Sequence, residues 1–293
     1  MYTINWILHI MIFENVIDAY ISNIPKKVYN EKELNWFIND LANLHSLKKK
    51  QVQIKDYFLA KYFSENSGLY SFKKQLINHF DIASSYSRHS FFSHGSALKL
   101  HKIDDTPTDI IYLTQNNYTL GRGSELTQKA LDDSFRKPQR ITTKIIKNNQ
   151  LKIYLLSGQN HDSMITSIDG YAVTNLEKTL IDITIRPSYS RGSKNVLESF
   201  KKAKDCLDIE KLFTHYKDLK YSYPYHQSIG FYLEHAGYNN QELQKFQNLE
   251  KKLDFYIDYQ IQTPKYSKDW KLYYDESILD EPAKEIKNKL GDR

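Results

Sequence analysis

The chain has 293 residues, a formal net charge of +6 at pH 7, and 40% hydrophobic and 26% charged residues. These fractions are ordinary for a soluble globular protein, and the length allows two domains with at least one sizeable core. The single cysteine, Cys206, excludes an internal disulfide and favours a reducing, cytoplasmic compartment.

The N-terminal segment is apolar but does not predict a membrane span. Its uninterrupted apolar run, Ile10–Phe13, is short, and His9, Glu14 and Asp18 interrupt the rest. A membrane-spanning helix needs about 20 mostly apolar residues. We therefore expect a buried helix and no membrane partner, while the oligomeric state stays open.

The residues that follow predict the order helix, helix and hairpin. Glu31–Leu47 carries apolar residues at helical spacing, and a second helix is expected over Val52–Glu65. Two short strands, Leu69–Phe72 and Leu76–Ile82, are expected to form a hairpin with a pair of lysines at its tip. This order is typical of a winged helix-turn-helix, in which one helix enters the major groove and the hairpin contacts phosphates.

Lysines are concentrated in this predicted DNA-binding region. Between residues 48 and 74, seven lysines accompany only two acidic residues, Asp56 and Glu65. One interpretation is a cationic face that contacts phosphates, and the other is a solvated lysine face. The candidate DNA-binding residues are Lys48, Lys49, Lys50, Lys55, Lys61, Lys73 and Lys74.

The segment 90–101 carries the first recognisable pattern of the remaining chain. It reads SFFSHGSALKLH, and Asp109–Thr114 after it is a predicted strand. Ser93, His94 and His101 are expected to hold a helix in place through buried hydrogen bonds. A metal site is the alternative interpretation of the two histidines, but no Cys, Asp or Glu completes a recognised ligand pattern. No metal and no cofactor are therefore expected.

The second pattern lies in residues 171–203, which read YAVTNLEKTLIDITIRPSYSRGSKNVLESFKKA. They predict a strand, a helix and a second helix. Thr174 and Glu177 fit a capping box at the start of the first helix. Pro187 ends that helix, and Ser193 can cap the next one.

Both patterns resemble motifs of one known family. The order V-T-N-L-E-K-T-L-I-D-I-x-x-R-P-x-Y-x-x-G resembles the signature of AbiEi-type antitoxins of type IV toxin–antitoxin systems, which act in abortive phage infection. The SFFSHGSALKLH segment resembles a second motif of that family. The family usually has two glycines after the tyrosine, and this chain has Arg191 before Gly192, which can still supply a positive φ.

The resemblance spans roughly residues 50–276 and implies a function. It implies a transcriptional repressor that binds its promoter DNA and counteracts a nucleotidyltransferase-like toxin, with or without forming a stable complex with that toxin.

The resulting fold prediction is an α+β protein. Residues 1–82 are expected to form an N-terminal winged helix-turn-helix region, residues 83–280 a mixed α/β antitoxin domain, and residues 281–293 a charged tail. The further predicted elements are a hairpin of Ile141–Ile146 and Leu151–Leu156, helices over Asp208–Lys220, Pro224–Ala236 and Asn240–Leu253, and a strand over Asp254–Ile261.

Basic residues after the signature predict a face that binds a protein partner. The other account is a solvated surface on which Arg186 pairs with Asp182, one helical turn away. The candidate partner-face residues are Arg186, Tyr189, Arg191, Lys194, Lys201 and Lys202.

No catalytic residue is expected, because the chain lacks a nucleophile elbow, a P-loop and an H-E-x-x-H motif. Glu177, Lys178 and Asp182 suggest a metal-dependent nuclease, but adjacent helical residues point about 100° apart. Glu177 is explained as a cap instead. Three alternatives stay open: a stand-alone DNA-binding regulator, an oligomerising protein that uses residues 1–50, and a metal-dependent defence nuclease.

Overall fold

The computed structural model describes residues 26–44, 56, 59–66, 68–73, 75–87, 89–116 and 126–280. The chain divides into two compact units, the first comprising the residues up to Ser90 with residues 147–152 and 169–171, and the second the remainder. Helices and strands both contribute to the fold, which confirms the α+β prediction.

A three-stranded antiparallel sheet forms the framework of the first unit. Its strands are β1 (Val28–Asn30), β2 (Phe63–Asn66) and β3 (Leu69–Phe72), in the order β1-β3-β2. Helix α1 (Glu31–Leu44) follows β1 directly and ends three residues before the predicted Leu47. The core of this unit contains Tyr29, Leu34, Phe37, Ile38, Phe63 and Phe72.

The start of α1 is fixed by a reciprocal cap. The Glu33 N–H donates to Asn30 Oδ1 at 3.0 Å, and the Asn30 N–H donates to Glu33 Oε2 at 3.3 Å. Each side chain thereby satisfies a backbone group that the first turn leaves unpaired. The cap holds α1 against the end of β1.

The hairpin lies earlier in the chain than predicted. Residues 59–62 are helical, but the chain extends from Phe63 onward, so the predicted helix end at Glu65 is wrong. Phe63 pairs with Phe72 across the hairpin, and their ring centroids are 4.5 Å apart, which buries both rings. The turn contains Gly68, whose φ of +76° favours glycine.

The predicted strand Leu76–Ile82 is also wrong. Helix α2 (His79–Ser84) occupies its second half, because Asn78 caps that helix by accepting a hydrogen bond from the Asp81 N–H. Leu76 is 93% exposed, so the apolar run that suggested a strand is not buried.

A six-stranded sheet runs through the middle of the chain. The order β6-β7-β5-β4-β9-β8 places the two segments that carry the family resemblance side by side, since β4 is parallel to β9 and Phe92 pairs with Val173. The predicted hairpin of two strands is confirmed in part: its first strand begins at Ile145 and not at Ile141, and Asn149 adopts the positive φ of its turn. The strands are β4 (Ser90–Phe92), β5 (Ile110–Asn116), β6 (Ile145–Asn148), β7 (Leu151–Gly158), β8 (Ile165–Ile168) and β9 (Tyr171–Thr174).

Helices account for most of the second unit's core. Residues 225–233 of α8 are all buried, which makes α8 the central helix. The Gln227 side-chain amide on α8 donates to the carbonyls of Leu253, Trp270 and Lys271. The helices are α3 (His94–Leu100), α4 (Gln128–Phe135), α5 (Leu176–Ile185), α6 (Ser193–Ala203), α7 (Ile209–Asp218), α8 (Tyr225–His235) and α9 (Asn240–Gln247).

A small sheet closes the described chain. It contains β10 (Phe255–Tyr256), β11 (Pro264–Ser267) and β12 (Leu272–Asp275) in the order β10-β12-β11. The predicted strand Asp254–Ile261 shrinks to β10, and the predicted helix Asn240–Leu253 ends at Gln247.

None of the helices in the described part of the chain is long and apolar enough to cross a membrane. The apolar helix predicted near the N-terminus and the charged tail 281–293 lie outside the described residues.

Candidate functional site

Two of the seven candidate DNA-binding lysines lie within the described residues. Lys61 is exposed, and its Nζ lies 5.2 Å from the centroid of the Tyr62 ring. Lys73 is exposed as well, and its Nζ donates to the Ala60 carbonyl at the end of the preceding helical residues. The candidates outside the described residues are Lys48, Lys49, Lys50, Lys55 and Lys74.

The predicted position of Lys73 at the hairpin tip is wrong. Its N–H donates to the Tyr62 carbonyl at 2.9 Å, which places Lys73 at the base of the hairpin. The turn is flanked instead by Glu65 and Asn66, both exposed. Lys61 and Lys73 therefore lie where the helical residues 59–62 meet the base of the hairpin.

The predicted capping box at α5 is also wrong. Asn175 caps this helix, because its Oδ1 accepts a hydrogen bond from the Lys178 N–H at 3.0 Å. Thr174 lies one residue too early, and its hydroxyl bonds to Thr179 Oγ1 at 2.7 Å inside the core. An Asn side chain is as good a cap as Thr, so the sequence offered two competing starts.

Glu177 does not cap α5, and its carboxylate instead contacts residues at the start of α7. Its carboxylate forms a 2.9 Å ion pair with Lys211 and accepts a hydrogen bond from the Asp208 N–H at 3.4 Å. Glu177 is only 4% exposed, so these partners offset the cost of burying its charge.

The two segments that carry the family resemblance contact each other in the second unit. His101 Nε2 lies 2.8 Å from the Thr174 carbonyl oxygen, and the Arg191 guanidinium pairs with the Asp104 carboxylate. A Cβ added at Gly95 would lie 2.9 Å from the Tyr189 carbonyl oxygen, so this close approach requires glycine.

The turn after α5 follows the prediction in part. α5 ends at Ile185, and Pro187 begins a 3-10 turn, which confirms the proline stop. Arg191 and Gly192 have φ angles of +69° and +94°, so both residues of this turn have positive φ. Ser193 makes no capping hydrogen bond, and the predicted cap is wrong because Gly192 occupies the N-cap position.

The candidate partner face is smaller than predicted. Tyr189 is 2% exposed, and its hydroxyl oxygen accepts a hydrogen bond from the Thr142 N–H at 2.8 Å, so it does not belong to a surface. Lys194, Lys201 and Lys202 on α6 are exposed, and Lys201 pairs with Glu198 at 2.8 Å.

Asp182 pairs with Lys178 and not with Arg186. The Lys178 side chain is 2% exposed, and its Nζ donates to Asp182 Oδ1. Arg186 instead donates to the Arg140 carbonyl at 3.2 Å and lies 6.0 Å from the centroid of the Tyr189 ring. Asp182 lies one helical turn after Lys178, and the low dielectric around the buried lysine strengthens the attraction between their charges.

Asp182 and Arg186 line a pocket of ≈ 450 Å³, and all of its lining residues belong to the second unit. The end of α5, the start of α3, the end of β7 and residues 140–144 form its walls. Arg140 and Lys144 in that last segment were not predicted as site residues. The lining residues are His94, Thr114, Arg140, Ile141, Thr142, Lys144, Leu155, Leu156, Ser157, Gly158, Gln159, Asp182, Ile185, Arg186, Tyr189 and Tyr221.

His94 is a buried histidine of this pocket, with 6% of its surface exposed. Its Nδ1 lies 2.8 Å from Ser93 Oγ, which in turn lies 2.7 Å from Thr114 Oγ1. Burial lowers the pKa of His94 to about 4, with nearby Asp182 opposing that shift. The imidazole is therefore neutral at pH 7, and Ser93 and His94 lie in a buried chain of hydrogen bonds.

A metal site does not form among the described residues. His94 faces the pocket while His101 bonds to a backbone carbonyl, so the two histidines have separate partners. Within the described ranges, no group of three or more His, Cys, Asp or Glu side chains could hold a metal ion.

No family model matches the chain, and no curated protein matches it significantly. A solved structure has a similar fold: the crystal structure of the RV2827C protein from Mycobacterium tuberculosis. It has a TM-score of 0.56 and 11% sequence identity, and the match covers 90% of this chain and 91% of that chain. At this identity the likeness shows a shared fold and nothing about activity.

Proposed function

We propose that this protein is an antitoxin of a type IV toxin–antitoxin system, which binds its promoter DNA and counteracts a nucleotidyltransferase-like toxin. The observation that carries the DNA half is the strand order β1-β3-β2, with α1 and the helical residues 59–62 between the first strand and the hairpin. This order supports a winged helix, a fold in which the helix before the hairpin enters the major groove.

Charge supports this assignment. Five of the seven candidate lysines fall within residues 45–62 of the sequence, before the hairpin. Lys61 in this segment and Lys73 after the hairpin are both exposed, so they can neutralise phosphates. The exposed Glu65 makes the turn of the hairpin a poor phosphate contact, and the lysines at its base take that role.

The toxin half rests on the second unit. The two segments that resemble the antitoxin family lie side by side in one sheet and contact each other through His101 and Thr174. Exposed Lys194, Lys201 and Lys202 on α6 offer a cationic surface for a protein partner.

A titration of fluorescently labelled upstream DNA tests the DNA half. We expect the logarithm of affinity to fall linearly with the logarithm of salt concentration, and Lys61→Gln to reduce the steepness of that slope by about 1. Lys268→Gln removes an exposed lysine of the second unit and should leave the slope unchanged. Equal slopes for both variants would refute DNA binding through the first unit.

A second candidate function is oligomerisation through the first unit. The observation that favours it is Trp36 on α1, which is 63% exposed. Large exposed aromatic side chains often mark protein interfaces. Light scattering of the wild type and of Trp36→Lys distinguishes the cases: an oligomer that dissociates in the variant supports this role, and a monomeric wild type refutes it.

A further inference from the structure

The pocket beside α5 has the dimensions and composition of a small-molecule site. Its volume of ≈ 450 Å³ lies in the range of about 300–1,000 Å³ that is usual for ligand pockets. Its apolar wall contains Ile141, Leu155, Leu156, Ile185, Tyr189 and Tyr221. Such a wall can pack against an aromatic ring or a short apolar chain of a ligand.

The charged side chains of the pocket are mostly positive. Arg140, Lys144 and Arg186 line it, and no carboxylate in the described part of the chain lies within 4.0 Å of their cationic groups. The one acidic lining residue, Asp182, is already paired with buried Lys178. The pocket therefore presents a net positive potential that attracts an anion.

His94 supplies a directed polar group at the base of the pocket. The residue is 6% exposed, lines the pocket, and has no hydrogen-bond partner for Nε2 among the described residues. When Ser93 Oγ donates to Nδ1, Nε2 carries the proton and can donate to a ligand oxygen. Nε2 is not sealed off in the core, so a ligand oxygen in the pocket can reach it and form a hydrogen bond.

The surrounding contacts hold this group in place. The left-handed φ of +50° at His94 and the close packing of Gly95 on Tyr189 set the start of α3. The Arg186 hydrogen bond to the Arg140 carbonyl and the Tyr189 hydrogen bond from Thr142 fix the opposite wall. The site is formed before a ligand binds, which lowers the entropic cost of binding.

We propose that this pocket binds a small organic anion, whose phosphate or carboxylate group contacts Arg140, Lys144, Arg186 and His94 Nε2 and whose apolar body packs on the tyrosines. The pocket residues belong to the second unit, and the proposed DNA contacts belong to the first unit. Its ligand would be a third partner of the protein, besides the proposed DNA and toxin.

Thermal unfolding of the full chain tests the site, at constant ionic strength, with four probes: inorganic phosphate, adenosine monophosphate, 4-hydroxybenzoate and chloride. We expect an organic anion to raise the melting temperature more than chloride does, because a ligand that binds only the folded state stabilises it. A larger rise in melting temperature with adenosine monophosphate assigns a phosphate head group. A larger rise with 4-hydroxybenzoate assigns a carboxylate head group. Equal effects of all four probes would overturn the proposal, and so would inorganic phosphate binding as tightly as either organic anion.

Variants locate the binding site. Arg186→Gln and Arg140→Gln alter exposed side chains, and we expect each to weaken the organic anion at least about tenfold by removing a charged hydrogen bond. His94→Asn keeps a polar atom near the Nδ1 position, tolerates the left-handed backbone, and removes Nε2, so it should weaken binding similarly. Lys268→Gln is the matched control. A loss in Lys268→Gln as large as in Arg140→Gln would mean non-specific charge attraction and would overturn the site.

Discussion

The ion pair between Lys178 and Asp182 makes the sharpest prediction about the second unit. The Lys178 side chain is 2% exposed and that of Asp182 is 13% exposed, so both charges are largely removed from water. Asp182→Asn leaves the lysine charge buried without a counter-charge, and we expect a loss of about 3 kcal/mol in the free energy of unfolding.

The reverse replacement should cost less. Lys178→Met leaves Asp182 facing the pocket, where water can reach its carboxylate, and we expect a loss of about 2 kcal/mol. The double variant removes both charges and should also lose about 2 kcal/mol, which gives a coupling energy of about 3 kcal/mol.

Urea unfolding measures these values through the fluorescence of Trp270, which is buried in the second unit. Trp6 and Trp36 are replaced by phenylalanine so that one probe remains. Glu198→Gln, which breaks an exposed pair with Lys201, is the control and should change stability by less than about 0.5 kcal/mol. Additive losses without coupling would refute a desolvated pair. Metal-dependent nuclease activity that disappears in Asp182→Asn would favour the enzymatic alternative.

Three further predictions concern the packing, the histidines and the turn. Gly230→Ala should destabilise the second unit by at least about 3 kcal/mol, because an added Cβ would lie 2.0 Å from Cζ3 of the Trp270 ring. Stability should fall between pH 7.5 and 5, by about 2 kcal/mol for each of His94 and His226, because the folded pKa of each is about 4 and the unfolded chain takes up protons first. Arg191→Gly should be more stable than Arg191→Ala by about 1 kcal/mol, since both lose the ion pair and only glycine relieves the positive φ.

Each of these predictions has its own control. Ser228→Ala on the same helix removes a buried hydroxyl without a partner in the described chain, so it should be neutral or stabilising where Gly230→Ala is not. The pH-dependent loss is followed by urea unfolding, and an unchanged slope in a His94→Asn, His226→Gln variant would contradict its assignment. Thermal melts compare the two Arg191 variants, and equal melting temperatures would mean that the turn carries no strain.

Single residues with strong backbone preferences predicted the end of a helix and the position of a turn. Pro187 ends α5 because a proline lacks the N–H that a helix interior needs, and this holds in any tertiary setting. The hairpin turn at Asn149 likewise depends on one residue that tolerates a positive φ.

Tertiary pairing decided what the sequence did not reveal. Phe63 reads as the end of an amphipathic helix, yet its pairing with Phe72 converts it to a strand and moves the hairpin toward the N-terminus. Tyr189 looks like a surface residue between two basic ones, and it is buried because Thr142, 47 residues earlier, donates to it.

The sequence did not predict the pocket, because residues far apart in the chain form its walls. Arg140 and Lys144 lie in an irregular segment far from both signature motifs in the sequence, and no spacing rule connects them to Asp182 and Arg186. Arg140 directly precedes the predicted strand Ile141–Ile146 and Lys144 lies within it, and basic residues in such positions are common on protein surfaces.

A growth assay tests the antitoxin proposal most directly. Cells express a candidate nucleotidyltransferase-like toxin from one promoter, and the full chain is supplied from a second promoter. We predict that the wild-type chain restores growth and that reversing the α6 charges by Lys194→Glu, Lys201→Glu and Lys202→Glu reduces the restoration, while Lys268→Glu does not. Persistent growth arrest in cells that accumulate the folded wild-type chain would contradict the antitoxin function.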